Sequence, residues 1–316
     1  MRKILFLWIV VLFTACQSKP KSGYVEVPTV TQNALSGVYN LAPTHENIHL
    51  YYEELGTGEP VILIHGQAVD GRMWDAAFFE LAKQYRTIRL DLRGYGKSDM
   101  PEVGFGFLYA DDLKNFMDSL GIKKAHIAGV SLGGMVLADF VALYPDYVQT
   151  ATISSGAISN FPDRSKVSAN VLKIYNDTIF TLRREDVRKN LAKGLDSLKV
   201  ELKKSMKYVS GKHYRKIKKQ VNVMIDDWQG WQWTHPEVDA FIGVQANQLL
   251  SEQKNQPRIL FIIGQYDSKA SKRSMQQMAT LCKKSKIKVL PDAGHYTAME
   301  CPKDFVRDME QFIQER

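Results

Sequence analysis

Short hydrophobic runs alternate along this chain with segments in which hydrophobic residues recur every three or four positions. The runs are typical of strands buried on both faces of a sheet, and they lie at 60–64, 86–92, 126–130, 148–154, 258–263 and 287–290. The segments with helical periodicity lie at 71–84, 109–120, 135–144, 271–281 and 305–313. Strands that alternate with helices predict an α/β fold with a mostly parallel central sheet flanked by helices.

The alternation stops in the middle of the chain. Residues 158–238 show helical patterns that are rich in Lys and Arg. We interpret this stretch as a helical cap inserted into the α/β core, and we expect it to lie over the active edge of the sheet. The core then consists of residues 41–157 and 239–316. Trp228, Trp231 and Trp233 of the cap either line an apolar pocket or pack in the core.

The first fifteen residues have the pattern of a secretory signal peptide. Met1–Lys3 form a positively charged start. An unbroken hydrophobic run of ten residues follows, and it is too short to span a bilayer. Thr14 and Ala15 then precede Cys16, and small residues before a cysteine resemble the processing site of bacterial lipoproteins. An ordinary cleavage site with an incidental cysteine is the alternative.

Lipoprotein processing would leave a mature chain that begins at Cys16, whose sulfur carries a diacylglycerol in such proteins. Two or three acyl chains hold a protein stably on a membrane. Residues 16–40 are polar, contain Pro20 and Pro28, and are expected to form a tether. Ser18 differs from the aspartate that is linked to inner-membrane retention. We therefore expect a lipid anchor in the bacterial outer membrane, with the protein on its periplasmic or surface side.

The formal charge of +8 is concentrated in one part of the chain. Between residues 161 and 256 there are 18 Lys and Arg against 11 Asp and Glu, so this segment alone carries +7. No nucleic-acid-binding motif accompanies the excess, and we expect no nucleic-acid partner. A solvated helical face is the simpler interpretation, and attraction to an anionic surface or substrate stays open. The sequence does not determine the oligomeric state.

The candidate chemistry begins at Gly129-Val-Ser131-Leu-Gly133, between a predicted strand and a predicted helix. Glycines there let two backbones approach closely, so that a sharp turn presents the serine oxygen at the top of the sheet. Asp267 and His295 also follow predicted strands. Because parallel strands end at the same edge of a sheet, we expect these three side chains to meet. A serine hydroxyl needs a base to take its proton, and the base needs a third group to orient it.

These features resemble the α/β-hydrolase fold superfamily over residues 45–158 and 239–316. The matching motifs are His65-Gly66, Asp91-x-Arg93-Gly94-x-Gly96-x-Ser98, Gly129-x-Ser131-x-Gly133, Gly264-x-x-Asp267 and Gly294-His295. The resemblance implies that Ser131 is the nucleophile, His295 the general base and acid, and Asp267 the orienting carboxylate. It also implies an oxyanion hole formed by the backbone N–H groups of Gln67 and Leu132. Such a triad needs no cofactor and no metal, and we expect neither.

Several other polar residues are expected to have structural roles. Those that we expect to hold loops rather than to contact substrate are His65, Asp91, Arg93, Asp99 and Asp292. We interpret Cys282 and Cys301 as buried thiols, although an oxidising compartment leaves a disulfide between them open.

A serine at the turn predicts an acyl-enzyme. The haloalkane dehalogenases and epoxide hydrolases of this superfamily carry an aspartate at that position, which argues against both activities. The favoured function is a carboxylic ester hydrolase for small or medium acyl substrates. The alternatives are a C–C bond hydrolase, a perhydrolase or an aminopeptidase of the same fold. An intact triad disfavours a non-catalytic lipoprotein that only binds a ligand.

Overall fold

The computed structural model describes residues 19–30, 44–102, 105, 107–157, 181–182, 184–235 and 246–315. At its centre lies a sheet with strands β1 (Lys21–Pro28), β2 (Asn47–Leu55), β3 (Pro60–Ile64), β4 (Arg86–Leu90), β5 (Ala125–Val130), β6 (Val148–Ser154), β7 (Arg258–Gly264) and β8 (Ser285–Leu290). The strand order is β1-β2-β4-β3-β5-β6-β7-β8. β2 pairs antiparallel with both β1 and β4, and every pairing from β4 across to β8 is parallel. The predicted α/β fold with a mostly parallel sheet is confirmed.

The described chain also contains helices that flank the sheet and helices of the predicted cap. They are α1 (Asp75–Leu81), α2 (Tyr109–Ser119), α3 (Leu132–Leu143), α4 (Leu195–Val209), α5 (Tyr214–Asp227), α6 (Trp231–Thr234), α7 (Ala246–Glu252), α8 (Lys269–Leu281), α9 (Thr297–Glu300) and α10 (Pro302–Gln314). Short 3₁₀ turns at Gly71–Trp74 and Pro145–Tyr147 follow the loop after β3 and helix α3, respectively. The helix predicted at 71–84 is therefore divided into a 3₁₀ turn and the shorter helix α1.

The side chains of β3 illustrate how the sheet is buried on both faces. Ile62 and Ile64 belong to one hydrophobic cluster, which includes residues of α2 and α3. Val61 and Leu63 belong to a second cluster, which includes residues of α1 and α10. All four side chains are fully buried, and burial of each aliphatic side chain stabilises the fold by about 1.5–3 kcal/mol. Successive residues of a strand point to opposite faces, so a continuous hydrophobic run marks a strand that is covered by helices on both sides.

The first strand contradicts the prediction that residues 16–40 form a tether. Residues Lys21–Pro28 form β1 and pair with β2 in a register that places Val25 opposite Leu50. Val25 and Val27 are buried. Around Val25 and Val27 the sequence shows only a brief alternation of hydrophobic and polar residues beside a proline. The strand that supplies the hydrogen bonds is distant in sequence, so the local pattern does not reveal β1. The prediction is wrong for Lys21–Pro28.

A buried guanidinium fixes the end of β1. Arg93 donates to the carbonyl oxygens of Pro28 and Thr29, and to both carboxylate oxygens of Asp112 at 2.7 and 3.0 Å. The side chains of both members of this ion pair are almost completely buried. Burial raises the pKa of Asp112 to about 6, although the neighbouring guanidinium opposes the shift. These contacts agree with the structural role expected for Arg93.

The described part of the predicted cap is helical. It contains residues 184–193 and helices α4, α5 and α6. Met206 of α4 and Val221 of α5 are buried in the second hydrophobic cluster. The cap also contacts the core through Arg72, which donates to Asp227 at 2.8 Å and accepts at its carbonyl oxygen from Gln220 at 2.6 Å. The predicted cap boundaries near residues 158 and 238 lie outside the described residues.

The predicted signal peptide and Cys16 lie outside the described residues as well. Within the ranges that the structure describes, no helix combines the length and the hydrophobicity needed to cross a bilayer. Lipid anchoring therefore stays a prediction from the sequence.

Replacement of Asp112 by Asn tests the buried ion pair. The variant leaves the charge of Arg93 buried without its anionic partner, so we expect the free energy of unfolding to fall by about 3–5 kcal/mol. Urea unfolding followed by circular dichroism measures this change. The control is Asp118→Asn, which removes an exposed partner of Lys114 and should change the free energy of unfolding by less than about 1 kcal/mol. Equally small effects of both substitutions would contradict the role given to Arg93.

Candidate active site

The turn between β5 and α3 holds Ser131 in a strained backbone conformation. Its φ and ψ angles are 56° and −114°, and residues with a Cβ rarely adopt a positive φ. The flanking glycines allow the sharp turn. A Cβ on Gly129 would lie 2.2 Å from the carbonyl oxygen of Gly133, and a Cβ on Gly133 would lie 2.2 Å from that of Ile64. The serine therefore lies at the N-terminal end of α3, where the helix dipole is positive.

Ser131, His295 and Asp267 form a continuous chain of hydrogen bonds. The Nε2 of His295 lies 2.8 Å from the Oγ of Ser131. The Nδ1 of the same imidazole lies 2.9 Å from the Oδ1 of Asp267. The three residues follow β5, β8 and β7, respectively, at the carboxyl edge of the parallel strands. The structure thus brings together the three side chains that the sequence places at strand ends.

The surroundings of Asp267 keep its carboxylate ionised. Its Oδ1 accepts the backbone N–H of Ser268 at 2.7 Å, and its Oδ2 accepts the hydroxyl of Ser271 at 2.6 Å. Burial favours the neutral acid, but the hydrogen bonds and the attraction of His295 hold the pKa of Asp267 below its usual value. An ionised Asp267 accepts the Nδ1–H of the imidazole, which leaves Nε2 free to accept a proton.

The loop after β3 passes directly beside the serine. A Cβ on Gly66 would lie 3.4 Å from the Cβ of Ser131. The buried His65 holds this loop: its Nε2 accepts the backbone N–H of Leu92 at 2.9 Å, and its Nδ1 donates to the carbonyl oxygen of Gly66 at 2.7 Å. Burial lowers the pKa of His65 and keeps the imidazole neutral. The geometry agrees with the expectation that His65 braces the loop.

One known protein family matches most of the chain. A family model of the α/β hydrolase fold matches residues 59–302. The chain belongs to this family. It is 33% identical over 152 residues to AB hydrolase superfamily protein YisY of Bacillus subtilis, an alignment that covers 47% of this chain and 57% of YisY. The chain thus aligns with little more than half the length of that relative.

Two esterases are similar to this chain over most of its length. Carboxylesterase YbfK of Bacillus subtilis is 25% identical over 252 residues, which cover 77% of this chain and 76% of YbfK. The structure of a thermophilic esterase from Thermogutta terrifontis superposes with a TM-score of 0.69 and 25% identity, covering 92% of this chain and 98% of the esterase.

His295 is supported by residues that have no role in the sequence-based prediction. Ser155 has a φ of 50°, and its hydroxyl donates to the carbonyl oxygen of His295 at 2.8 Å. The carboxylate of Glu300 accepts the backbone N–H groups of Gly294 and Tyr296, on either side of the histidine. An acidic residue within the mostly hydrophobic segment 296–301 is the one local signal that could have revealed Glu300. A serine before a glycine gives no such signal.

The carboxylates of Asp292 and Asp91 have partners other than the imidazole of His295. Asp292 forms an exposed ion pair with the Nζ of Lys212 at 2.7 Å. Asp91 accepts the backbone N–H groups of Gly71 at 2.7 Å and Lys97 at 2.9 Å. These contacts agree with the expectation that both residues hold loops.

The cap tryptophans pack against the core of the protein. Trp228 is buried in the first hydrophobic cluster, and Trp231 and Trp233 lie partly buried against the same cluster. The rings of Trp228 and Trp233 meet edge to face, with centroids 4.9 Å apart. These contacts support core packing for the tryptophans, and their lining of an acyl pocket stays a hypothesis.

The two cysteines of the described core are free and buried, which confirms their interpretation as buried thiols. Burial raises the pKa of Cys282 to about 12 and that of Cys301 to about 11. Thiols with such values are poor nucleophiles and poor metal ligands at neutral pH. Among the residues that the structure describes, no group of three or more His, Cys, Asp or Glu side chains could hold a metal ion.

Gly133→Ala tests whether the close backbone contact at the turn is required. The added Cβ would lie 2.2 Å from the carbonyl oxygen of Ile64 and 2.7 Å from that of His65. We expect the free energy of unfolding to fall by at least about 3 kcal/mol, because backbone atoms cannot move aside as a flexible side chain can.

The matched control is Gly121→Ala. Gly121 has a φ of 67°, but nothing lies within 4 Å of an added Cβ, so only backbone strain of about 1–2 kcal/mol is expected. Urea unfolding of both variants makes the comparison. If Gly133→Ala were as mild as Gly121→Ala, the packing at the turn would not be a constraint on the fold.

Proposed function

We propose that this protein is a carboxylic ester hydrolase that acts through an acyl-enzyme on small or medium substrates. The observation that carries the proposal is the unbroken hydrogen-bonded chain from Ser131 through His295 to Asp267, at 2.8 and 2.9 Å. The esterases among the similar proteins support it. C–C bond hydrolases, perhydrolases and aminopeptidases use the same three groups, and no observation favours one of these reactions over ester hydrolysis.

The reaction begins with attack of the Ser131 Oγ on the ester carbonyl carbon. The Nε2 of His295 accepts the hydroxyl proton, and Asp267 stabilises the resulting imidazolium. The C–O bond to the alcohol then breaks, and the alcohol leaves with the proton from the imidazolium. In the second half, the imidazole takes a proton from water, and the hydroxide hydrolyses the acyl-enzyme. The carboxylic acid leaves and the serine hydroxyl is restored.

The oxyanion hole consists of the backbone N–H groups of Leu132 and Gln67. Leu132 is the first residue of α3, so its N–H has no partner within the helix and lies at the positive end of the helix dipole. Gln67 follows Gly66, and a Cβ added to Gly66 would lie 3.4 Å from the Cβ of Ser131. One such donor typically lowers the barrier by about 3 kcal/mol.

Ser131→Ala should abolish the turnover of p-nitrophenyl butyrate. Removal of the nucleophile is expected to lower kcat by at least about 10⁴-fold, as measured by the release of p-nitrophenol. A fluorophosphonate probe should label the wild-type protein and leave this variant unlabelled. The control is Ser251→Ala, at an exposed serine of α7, which should retain both activities. A wild-type protein that neither turns over a broad panel of esters nor reacts with the probe would refute the proposed activity.

We further propose that the mature protein is a lipoprotein that begins at Cys16 and is anchored in the bacterial outer membrane. The support comes from the sequence: the positive start, the hydrophobic run and the small residues before the cysteine form one processing signal. Ser18 in place of aspartate favours the outer membrane.

The direction of β1 determines how an anchored domain is held. Four residues separate Cys16 from Lys21, where β1 begins, and a linker of this length reaches at most about 18 Å. Lys21 pairs with Glu54, and the residue after Glu54 pairs with Thr87 near the start of β4. Lys21 therefore lies near the amino ends of the parallel strands, whereas Ser131 lies at their carboxyl ends. An anchor before Lys21 and the catalytic serine are thus at opposite edges of the sheet. The catalytic edge therefore lies at the end of the domain away from the anchored start of β1.

Cys16→Ala should release the protein from the membrane. In a Gram-negative expression host, we expect the wild-type chain to incorporate labelled palmitate and to sediment with the membrane fraction. The Cys16→Ala variant should do neither, because the thiol that receives the lipid is absent. Cys282→Ala, which removes a buried thiol of the core, should behave as wild type. Membrane sedimentation of the Cys16→Ala variant at the wild-type level would contradict the lipid anchor.

A further inference from the structure

Glu300 is a buried carboxylate whose oxygens accept three backbone N–H groups. It lies at the end of α9 and is 4% exposed. Its Oε2 accepts from Gly294 at 3.0 Å and also from Gly211, and its Oε1 accepts from Tyr296 at 3.1 Å. Gly294 and Tyr296 flank the catalytic histidine. Gly211 belongs to the cap loop, which we define as residues 209–213, from the last residue of α4 to the residue before α5.

The cap loop also contacts the histidine loop, residues 291–296, without the help of Glu300. The backbone N–H of His295 donates to the carbonyl oxygen of Val209 at 2.7 Å. A Cβ on Gly294 would lie 2.3 Å from the same oxygen, so the two backbones are in direct contact. The ion pair of Lys212 with Asp292 lies at the exposed side of this contact. The position of the histidine backbone therefore depends on the cap loop.

We propose that Glu300 is a positioning residue that keeps His295 within reach of both its hydrogen-bond partners by joining the histidine loop to the cap loop. The inference rests on the proposed function, because it concerns the histidine that transfers the proton there. Ser155 holds the carbonyl oxygen of the same residue from the end of β6. The backbone of His295 is thus held at its N–H by the cap and at its carbonyl by the core.

The arrangement requires a carboxylate. Three converging N–H donors need an acceptor with two oxygens, and an ionised carboxylate offers about four lone pairs and a negative charge. A glutamine amide replaces one oxygen by an NH₂ group, which would face the N–H of Tyr296 or those of the two glycines. Either orientation forces part of the histidine loop to move. Displacement of a catalytic group by about 1 Å lowers a rate by about 10²-fold.

Glu300→Gln is the first test, with p-nitrophenyl butyrate as substrate and rates expressed per folded protein. We expect kcat to fall by about 10- to 100-fold. KM should change by less than about 3-fold, because Glu300 acts on the histidine and holds no part of the substrate. A role in folding alone would lower the melting temperature and leave kcat of the folded protein unchanged, which would overturn the inference.

Asp308→Asn is the matched control. Asp308 is also a buried carboxylate near the C-terminus, but its hydrogen-bond partner is the side chain of Arg307. We expect its kcat to stay within about 2-fold of the wild-type value. An equal loss of kcat in Asp308→Asn and Glu300→Gln would also overturn the inference.

Gly211→Ala tests the contact from the cap side and decides the question if Glu300→Gln does not fold. The added Cβ would lie 2.5 Å from the carbonyl oxygen of Asp292 and 2.7 Å from the backbone nitrogen of Gly294. It therefore separates the two loops while Glu300 is retained, and we expect kcat to fall with little change in KM. Wild-type kcat in this variant would refute the inference and leave the proposed function intact. Absence of ester turnover in the wild-type protein would refute the proposed function first.

Discussion

The strained backbone of Ser131 is the constraint on which the site depends. A positive φ at a residue with a Cβ costs about 1–3 kcal/mol, and it persists only where the surroundings over-determine it. Here β5 is buried throughout and lies between β3 and β6, and α3 packs on it through glycines that leave no space for a Cβ. The serine is therefore fixed by a fully buried inner strand of the sheet, and the loops after β7 and β8 bring Asp267 and His295 to it.

The parts of the molecule that the sequence predicts well have local signals. The glycines on either side of Ser131 lie between a buried hydrophobic run and a helical pattern, and this combination predicts a sharp turn. Asp267 and His295 each follow a short hydrophobic run, and the parallel arrangement of those runs is enough to place both residues at one edge. The strand at Pro60–Ile64 has the predicted bounds because Gly58 precedes it and a His-Gly pair ends it. No knowledge of distant contacts is needed for any of these features.

The parts that the sequence does not predict depend on residues far apart in the chain. β1 has a brief alternation of its own, and it becomes a strand only because β2 and the guanidinium of Arg93 are present. Glu300 resembles an ordinary helix-end carboxylate until Gly211, 89 residues earlier, reaches it. Ser155 contacts the histidine loop across 140 residues. Hydrophobic periodicity contains no information about such partners.

The backbone contact between Val209 and Gly294 restricts which caps can be combined with this core. A cap taken from a relative by recombination, or grafted by an engineer, would place a different loop against the histidine. Such a chimera keeps the junction only if the incoming loop supplies a carbonyl oxygen at the position of Val209 and a small residue at the position of Gly211. The solvent-facing sides of α4 and α5 take no part in that junction. Ordinary substitutions on the outer helices therefore leave the junction intact, whereas exchange of a whole cap requires its junction to be inherited with it.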